Sequence, residues 1–128
     1  ATISHRGQGY DVKTIEEYPL RRPSLQTIPD TTCNSGCTET SAGVWTSTST
    51  YGFGYNATGN DISADFINST YYRPFPSRAS AEAAATFMTS NQAVKNRTST
   101  VTFKANISNI QPAGSYQTIV SFIAVPKY

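Results

Sequence analysis

Few residues in this chain are suited to catalysis. The one histidine is His5, the two cysteines are Cys33 and Cys37, and the eight acidic residues are dispersed. Ser-His-Asp or Cys-His catalysis needs a histidine held in a cleft and oriented by a carboxylate. His5 falls in an N-terminal stretch expected to be extended, so it reads as an exposed terminal histidine. No glycine-rich phosphate loop of the Walker or dinucleotide type occurs. Glycoside hydrolysis needs two carboxyl groups ~5–9.5 Å apart. Asp61 and Asp65, on an extended segment, would share a face at roughly 13 Å, too far for either geometry. Glu16 and Glu17 are adjacent. Loops can bring Asp61 or Asp65 together with Glu39, Glu82 or Asp30 as oxygen ligands for calcium, yet solvated loop acids are the simpler reading. No catalytic, cofactor-binding or metal residue is assigned, and the chain is not expected to be an enzyme.

Cys33 and Cys37 enclose Asn-Ser-Gly. A zinc site would need two more ligands, and a thioredoxin-like motif has two intervening residues, not three. A small intramolecular disulfide loop is expected, with Gly36 at its turn. That in turn implies an oxidising, extracellular or cell-surface compartment. Asn56, Asn68, Asn96 and Asn106 each open an N-x-Ser/Thr sequon and are possible glycosylation sites. The aromatic sets Trp45/Tyr51/Phe53/Tyr55 and Tyr71/Tyr72/Phe75 serve mainly as core, because a domain this small must fill its interior with its largest side chains. Tyr71 and Tyr72 are the candidate ligand aromatics, since adjacent strand residues face opposite ways.

Charged residues make up 14% of the chain and the net charge is +2, which leaves no basic footprint for nucleic acid. No stretch is apolar enough for a membrane helix. The chain opens on Ala1 rather than Met, from which removal of a leader is expected.

Residues 1–32 differ from the rest. Pro19, Pro23 and Pro29 punctuate them, and Glu16-Glu17 and Arg21-Arg22 cluster there. They are expected to form an extended arm with one strand inside it, Tyr10–Tyr18. Residues 33–128 then form the folded body. Val44–Tyr55 alternates as one strand, with Gly52 and Gly54 marking a bulge or a close backbone approach. Shorter strands are expected at Ile62–Ile67 and Tyr71–Phe75, and residues 77–88 carry the alanines of one short helix. Thr98–Ile107 alternates cleanly. Past the turn at Gln111–Gly114, Ser115–Val125 is apolar on both faces and is expected to be covered on both sides. The fold class is all-β: a single antiparallel β-sandwich with one short helix and an N-terminal arm.

Pro112-Ala113-Gly114-Ser115-Tyr116, followed by alternating apolar residues to Val125, resembles the last hairpin of bacterial secreted immunoglobulin-like sandwiches, among them spore-coat-U-type pilin domains. The resemblance covers about residues 98–125 and implies a sandwich displayed outside a cell, often within a fibre. On this basis the expected function is a structural subunit of an extracellular filament or surface layer, with a surface adhesin or carbohydrate-binding module as the alternative. Its partners are then other copies of itself, joined head to tail, or glycans of a cell surface. The arm is the candidate donor strand, placing Tyr10, Val12, Thr14, Ile15, Tyr18, Leu20, Leu25 and Ile28 at the subunit interface.

Overall fold

The computed structural model describes the backbone of residues 2–5 and all of residues 8–128; the His5 side chain lies outside the described part. Among the described residues eight strands occur: Thr2–His5 (β1), Tyr10–Glu16 (β2), Gly43–Val44 (β3), Gly52–Gly59 (β4), Tyr71–Tyr72 (β5), Ala85–Ser90 (β6), Val94–Asn106 (β7) and Val120–Pro126 (β8). They build three small antiparallel sheets, ordered β1-β7-β4, β6-β2-β8 and β3-β5. No helix of the described residues is long and apolar enough to cross a membrane.

The two larger sheets share one core. Tyr10 and Val12 of β2, Phe53, Tyr55 and Ala57 of β4, Phe87 and Met88 of β6, and Val94 of β7 belong to it, with Ile28 and Phe75 from the connections. Tyr55 links the layers: it stacks on Phe75 at 4.4 Å and meets Phe87 edge-on at 6.1 Å. Such ring pairs add to the apolar area each side chain buries. The outer face of β4 carries a second, smaller core of Cys33, Trp45 and Tyr72. Glycine makes this possible. A Cβ on Gly54 would stand 2.7 Å from the Arg73 carbonyl and one on Gly52 2.7 Å from the Thr31 backbone, so the close approach expected between the aromatics is real.

The N-terminal segment is not a free arm. β2 is the central strand of its own sheet, paired with β8 from Tyr10↔Pro126 to Glu16↔Val120 and with β6 from Tyr10↔Ser90 to Thr14↔Ala85. Tyr10, Val12, Thr14, Ile15 and Ile28 are buried within the chain, Tyr18 and Leu20 are half-buried, and Leu25 is exposed. The reason is positional. All three prolines of this region follow Glu16, so β2 keeps every backbone donor that a central strand needs.

Four further expectations are corrected. β8 is an edge strand and is not covered on both faces: Phe122 is 42% exposed and Ile123 37%. Val44–Tyr55 is not one strand but β3 and β4 separated by a turn, in which Asn34 Oδ1 accepts from the Thr46 and Ser47 backbone N–H groups. Ser and Thr side chains favour such turns despite clean alternation. Residues 77–88 hold only the 3₁₀ turn Arg78–Ser80 before β6 begins at Ala85. Ala81 ends that turn in the left-handed region, and burial of Ala85, Phe87 and Met88 against β2 outweighs alanine's helix propensity. The segment around Ile62–Ile67 is likewise turn, touching β6 only at Ile62↔Met88.

Burial predicts opposite outcomes for two truncations. Phe87→Ala should cost about 3–5 kcal/mol, whereas Ile119→Ala should stay within about 0.5 kcal/mol. Chemical denaturation of both variants checks this; equal losses would mean that β8 is covered in solution.

Candidate functional site

The even-numbered residues of β2 point into the core, and Glu16 continues that set behind Tyr10, Val12 and Thr14. Its side chain is fully buried, yet neither carboxylate oxygen has a hydrogen-bond donor among the described residues. Asp30, which bridges in parallel to Phe53 of β4, meets it from the other sheet, and Asp30 Oδ1 is buried without a partner as well. The two carboxyl groups lie within hydrogen-bonding reach of each other. Both are acceptors, so a direct bond between them needs a proton. Ser77 bridges in parallel to Glu16, and its buried Oγ also lacks a partner. Glu82 Oε1 accepts from Ser77 N–H at 2.9 Å, and its carboxyl group reaches that of Glu39 on the disulfide-bearing loop.

Four carboxylates from four segments thus converge at one end of the core, and none makes an ion pair among the described residues. Burial, reinforced by Asp30 and Glu82, holds the Glu16 carboxyl well above the usual glutamate range. Asp30 is raised by burial and the neighbouring Glu39 charge, and Glu82 by burial and Glu39. The sequence signal was present: a charged residue on the inward register of a strand.

Asp61 and Asp65, the pair weighed as acids, do not join this cluster. Asp61 accepts from Tyr10 Oη at 2.6 Å and lies 3.7 Å from Arg97. Asp65 accepts a bidentate pair from the Nε and Nη2 edge of the buried Arg73 guanidinium, at 3.0 and 2.7 Å, and accepts Ala42 N–H at 2.6 Å. Burial works against the Asp65 carboxylate, but these bonds hold it below its ordinary value. Arg73 also donates to the Thr86 carbonyl at 2.9 Å, so it ties β6 to the segment before β3. Nothing in the sequence distinguished Arg73 from the other arginines.

A second feature lies across the molecule. Among the described residues β8 pairs only with β2, and β1 pairs with β7 only as far as Thr98, so the outer edges of β8 and of β7 beyond Ser99 carry no ladder there. Between these edges an apolar groove of about 470 Å³ is lined by Leu20, Phe53, Phe103, Tyr116, Thr118 and Val120. Phe103 stacks on Phe53 at 6.0 Å yet is 52% exposed, and Phe122 meets Phe87 at 5.9 Å while 42% exposed. Outside the groove, Ile119, Ile123 and Val125 of this strand region face solvent.

The remaining expected residues separate clearly. Cys33 and Cys37 form a disulfide. Tyr72 is buried edge-on against Trp45 at 5.5 Å, with Lys104 Nζ over both rings, so only Tyr71 reaches solvent and no aromatic platform forms from the pair. Asn56 is buried, its amide donating to the Ile67 and Tyr71 carbonyls, which leaves no room for a glycan. The Asn106 amide donates to the Ser47 and Thr50 carbonyls. Asn68 and Asn96 are the exposed sequon asparagines.

The acidic cluster sets a pH dependence. A carboxyl group whose folded-state pKa is raised contributes stability below its unfolded value, and that stability is lost as pH climbs toward the folded value. Glu16, Asp30 and Glu82 are all raised. Asp11 and Asp65 are lowered, so their contribution is lost only in acid. In buffer free of divalent ions the melting temperature should therefore fall between about pH 5 and 8, and Glu16→Gln should flatten the slope. A wild-type midpoint that rises across that range would contradict the assignment. Comparison of the chain with protein-family models, curated proteins and solved structures finds no match.

Proposed function

We propose that this chain is a structural, non-enzymatic module of an extracellular filament or surface layer, a two-sheet sandwich whose copies join through the open edge of β8. The disulfide and the low charge fit an oxidising, non-cytoplasmic setting, and the C-terminal hairpin resembles those of secreted pilin-type domains. The observation that carries the reading is the edge itself. Natural edge strands are normally blunted by lysine, proline or a bulge. β8 has no charged residue and no proline from Val120 to Val125, pairs with β2 without a register shift, and leaves Phe122, Ile123 and Val125 exposed.

The occupant proposed is a second copy of β8, antiparallel. Pairing across a two-fold axis satisfies the free backbone groups and turns two three-stranded sheets into one continuous sheet. The charges at the strand ends permit it: Glu17–Arg78 sits beside the Ile119 end and Asp11–Lys127 beside the Val125 end, each pair self-neutralising. An isologous link joins only two copies, so a filament or layer uses a further contact in addition. The donor in this scheme is not the N-terminal segment, whose strand is already committed to its own sheet.

Sedimentation velocity over a concentration series tests the proposal. Wild type should associate reversibly, and the double variant Ile119→Lys/Ile123→Lys, which charges the solvent side of the edge, should remain monomeric. A wild-type monomer at every soluble concentration, or unchanged association in the variant, would remove this function.

A further inference from the structure

An arginine side chain keeps its charge in a folded protein and presents a planar fork of N–H donors that calls for oxygen acceptors. Arg73, Arg78 and Arg97 each find an aspartate or glutamate. Arg21 and Arg22 are half-buried, yet neither has an acidic partner among the described residues. Neighbours on an extended strand face opposite ways, but here the backbone turns at once. Arg21 exchanges backbone bonds with Gln117, and Arg22 then opens a tight turn whose Leu25 N–H donates to the Arg22 carbonyl at 2.8 Å. Both side chains line one cleft of about 240 Å³, together with Tyr18, Pro23 and Gln117.

Each guanidinium is held in place by a contact that leaves its hydrogen bonds unmade. Arg21 sits over the Tyr18 ring, 3.5 Å from the centroid, where the attraction comes from the face of the ring. Arg22 packs against the bare backbone of Gly114, at which a Cβ would stand 2.6 Å from Nε. Ordering long side chains normally opposes binding, and in this cleft the fold has ordered them in advance.

We propose that the cleft is a binding site for a tetrahedral oxyanion, a phosphate or sulfate group, carried free or as an ester on a larger ligand. Two forks engage two pairs of oxygens. A carboxylate offers one pair, whereas a tetrahedral group offers an edge to each arginine. The two positive charges match a dianion, none of the lining residues is acidic, and Gln117 adds an amide donor at the exposed rim. One pair of arginines anchors a single group and builds no basic track, so a nucleic-acid backbone is not the partner. The site goes beyond the assembly role and does not depend on it.

Calorimetric titration with sodium phosphate or sodium sulfate, at constant ionic strength in chloride, tests the site. Wild type should bind either anion at one-to-one stoichiometry. Arg21→Gln/Arg22→Gln should weaken binding by roughly tenfold or more. Arg21→Lys/Arg22→Lys, which keeps the charge but loses the forks, should weaken it as well. Should the double variants fail to fold, Arg22→Gln, which leaves the Tyr18 contact intact, should weaken binding in their place. A sulfated disaccharide, set against its desulfated counterpart, separates the sources. Binding tighter than that of inorganic sulfate assigns the site to an ester-borne group, equal or weaker binding assigns it to the free anion, and either supports it. No heat from phosphate or sulfate with wild type, or undiminished binding in the glutamine variants, would overturn the site. Lysine variants that bind as tightly as wild type would overturn it equally, reducing it to surface charge.

Discussion

The central position of β2 governs the rest of the molecule. A strand with neighbours on both sides satisfies its backbone groups only if both ladders form, so β6 and β8 are held in register by one seven-residue segment. That segment precedes every proline of the chain, which is why it can occupy the place that its proline-rich continuation could not. Once β2 is central, its even-numbered residues must enter the core. Tyr10, Val12 and Thr14 do so at ease. Glu16 does so at a cost, and the acids around it are the consequence.

The same placement creates the open edge. With β2 flanked by β6 and β8, the last strand of the chain becomes the sheet's boundary, and its outward apolar residues are exposed. The opposing sheet is open at the corresponding place because β1 is short and covers only the first part of β7. An edge of this composition is a standing invitation to another strand. The other edges differ: β6 is bridged by Ile62, accepts from Ser63 N–H at the Phe87 carbonyl and donates Thr89 N–H to the Asp61 carbonyl, while β4 is bridged by Asp30 and Arg73. Cover at those edges makes the bare β8 a selective surface and not a general failure of packing.

Much of this was legible before any coordinates. The β class, the disulfide, and the alternation of Val101, Phe103 and Ala105 followed from period and composition, because local chemistry decides them. The position of each strand within a sheet was not legible. Ser115–Val125 carries apolar residues on both faces, which normally signals a covered strand, and only the pairing partners reveal an edge. The helix over 77–88 failed because propensity is a weak prior against the burial of Phe87 and Met88. For the acids, spacing pointed to Asp61 and Asp65, which are four apart, whereas the real cluster joins Glu16, Asp30, Glu39 and Glu82 from distant segments. Long-range convergence leaves no short-range signature. A charged residue on an inward register, as at Glu16, is the one local hint.

The central claim is that β2 folds into its own chain, and native-state hydrogen exchange at low protein concentration tests it most directly. Amides of Tyr10–Glu16 should exchange in the slowest class, together with those of β4, because both open only with the whole fold. The account fails if residues 10–16 exchange like loops in the isolated chain, or gain protection only as the concentration is raised.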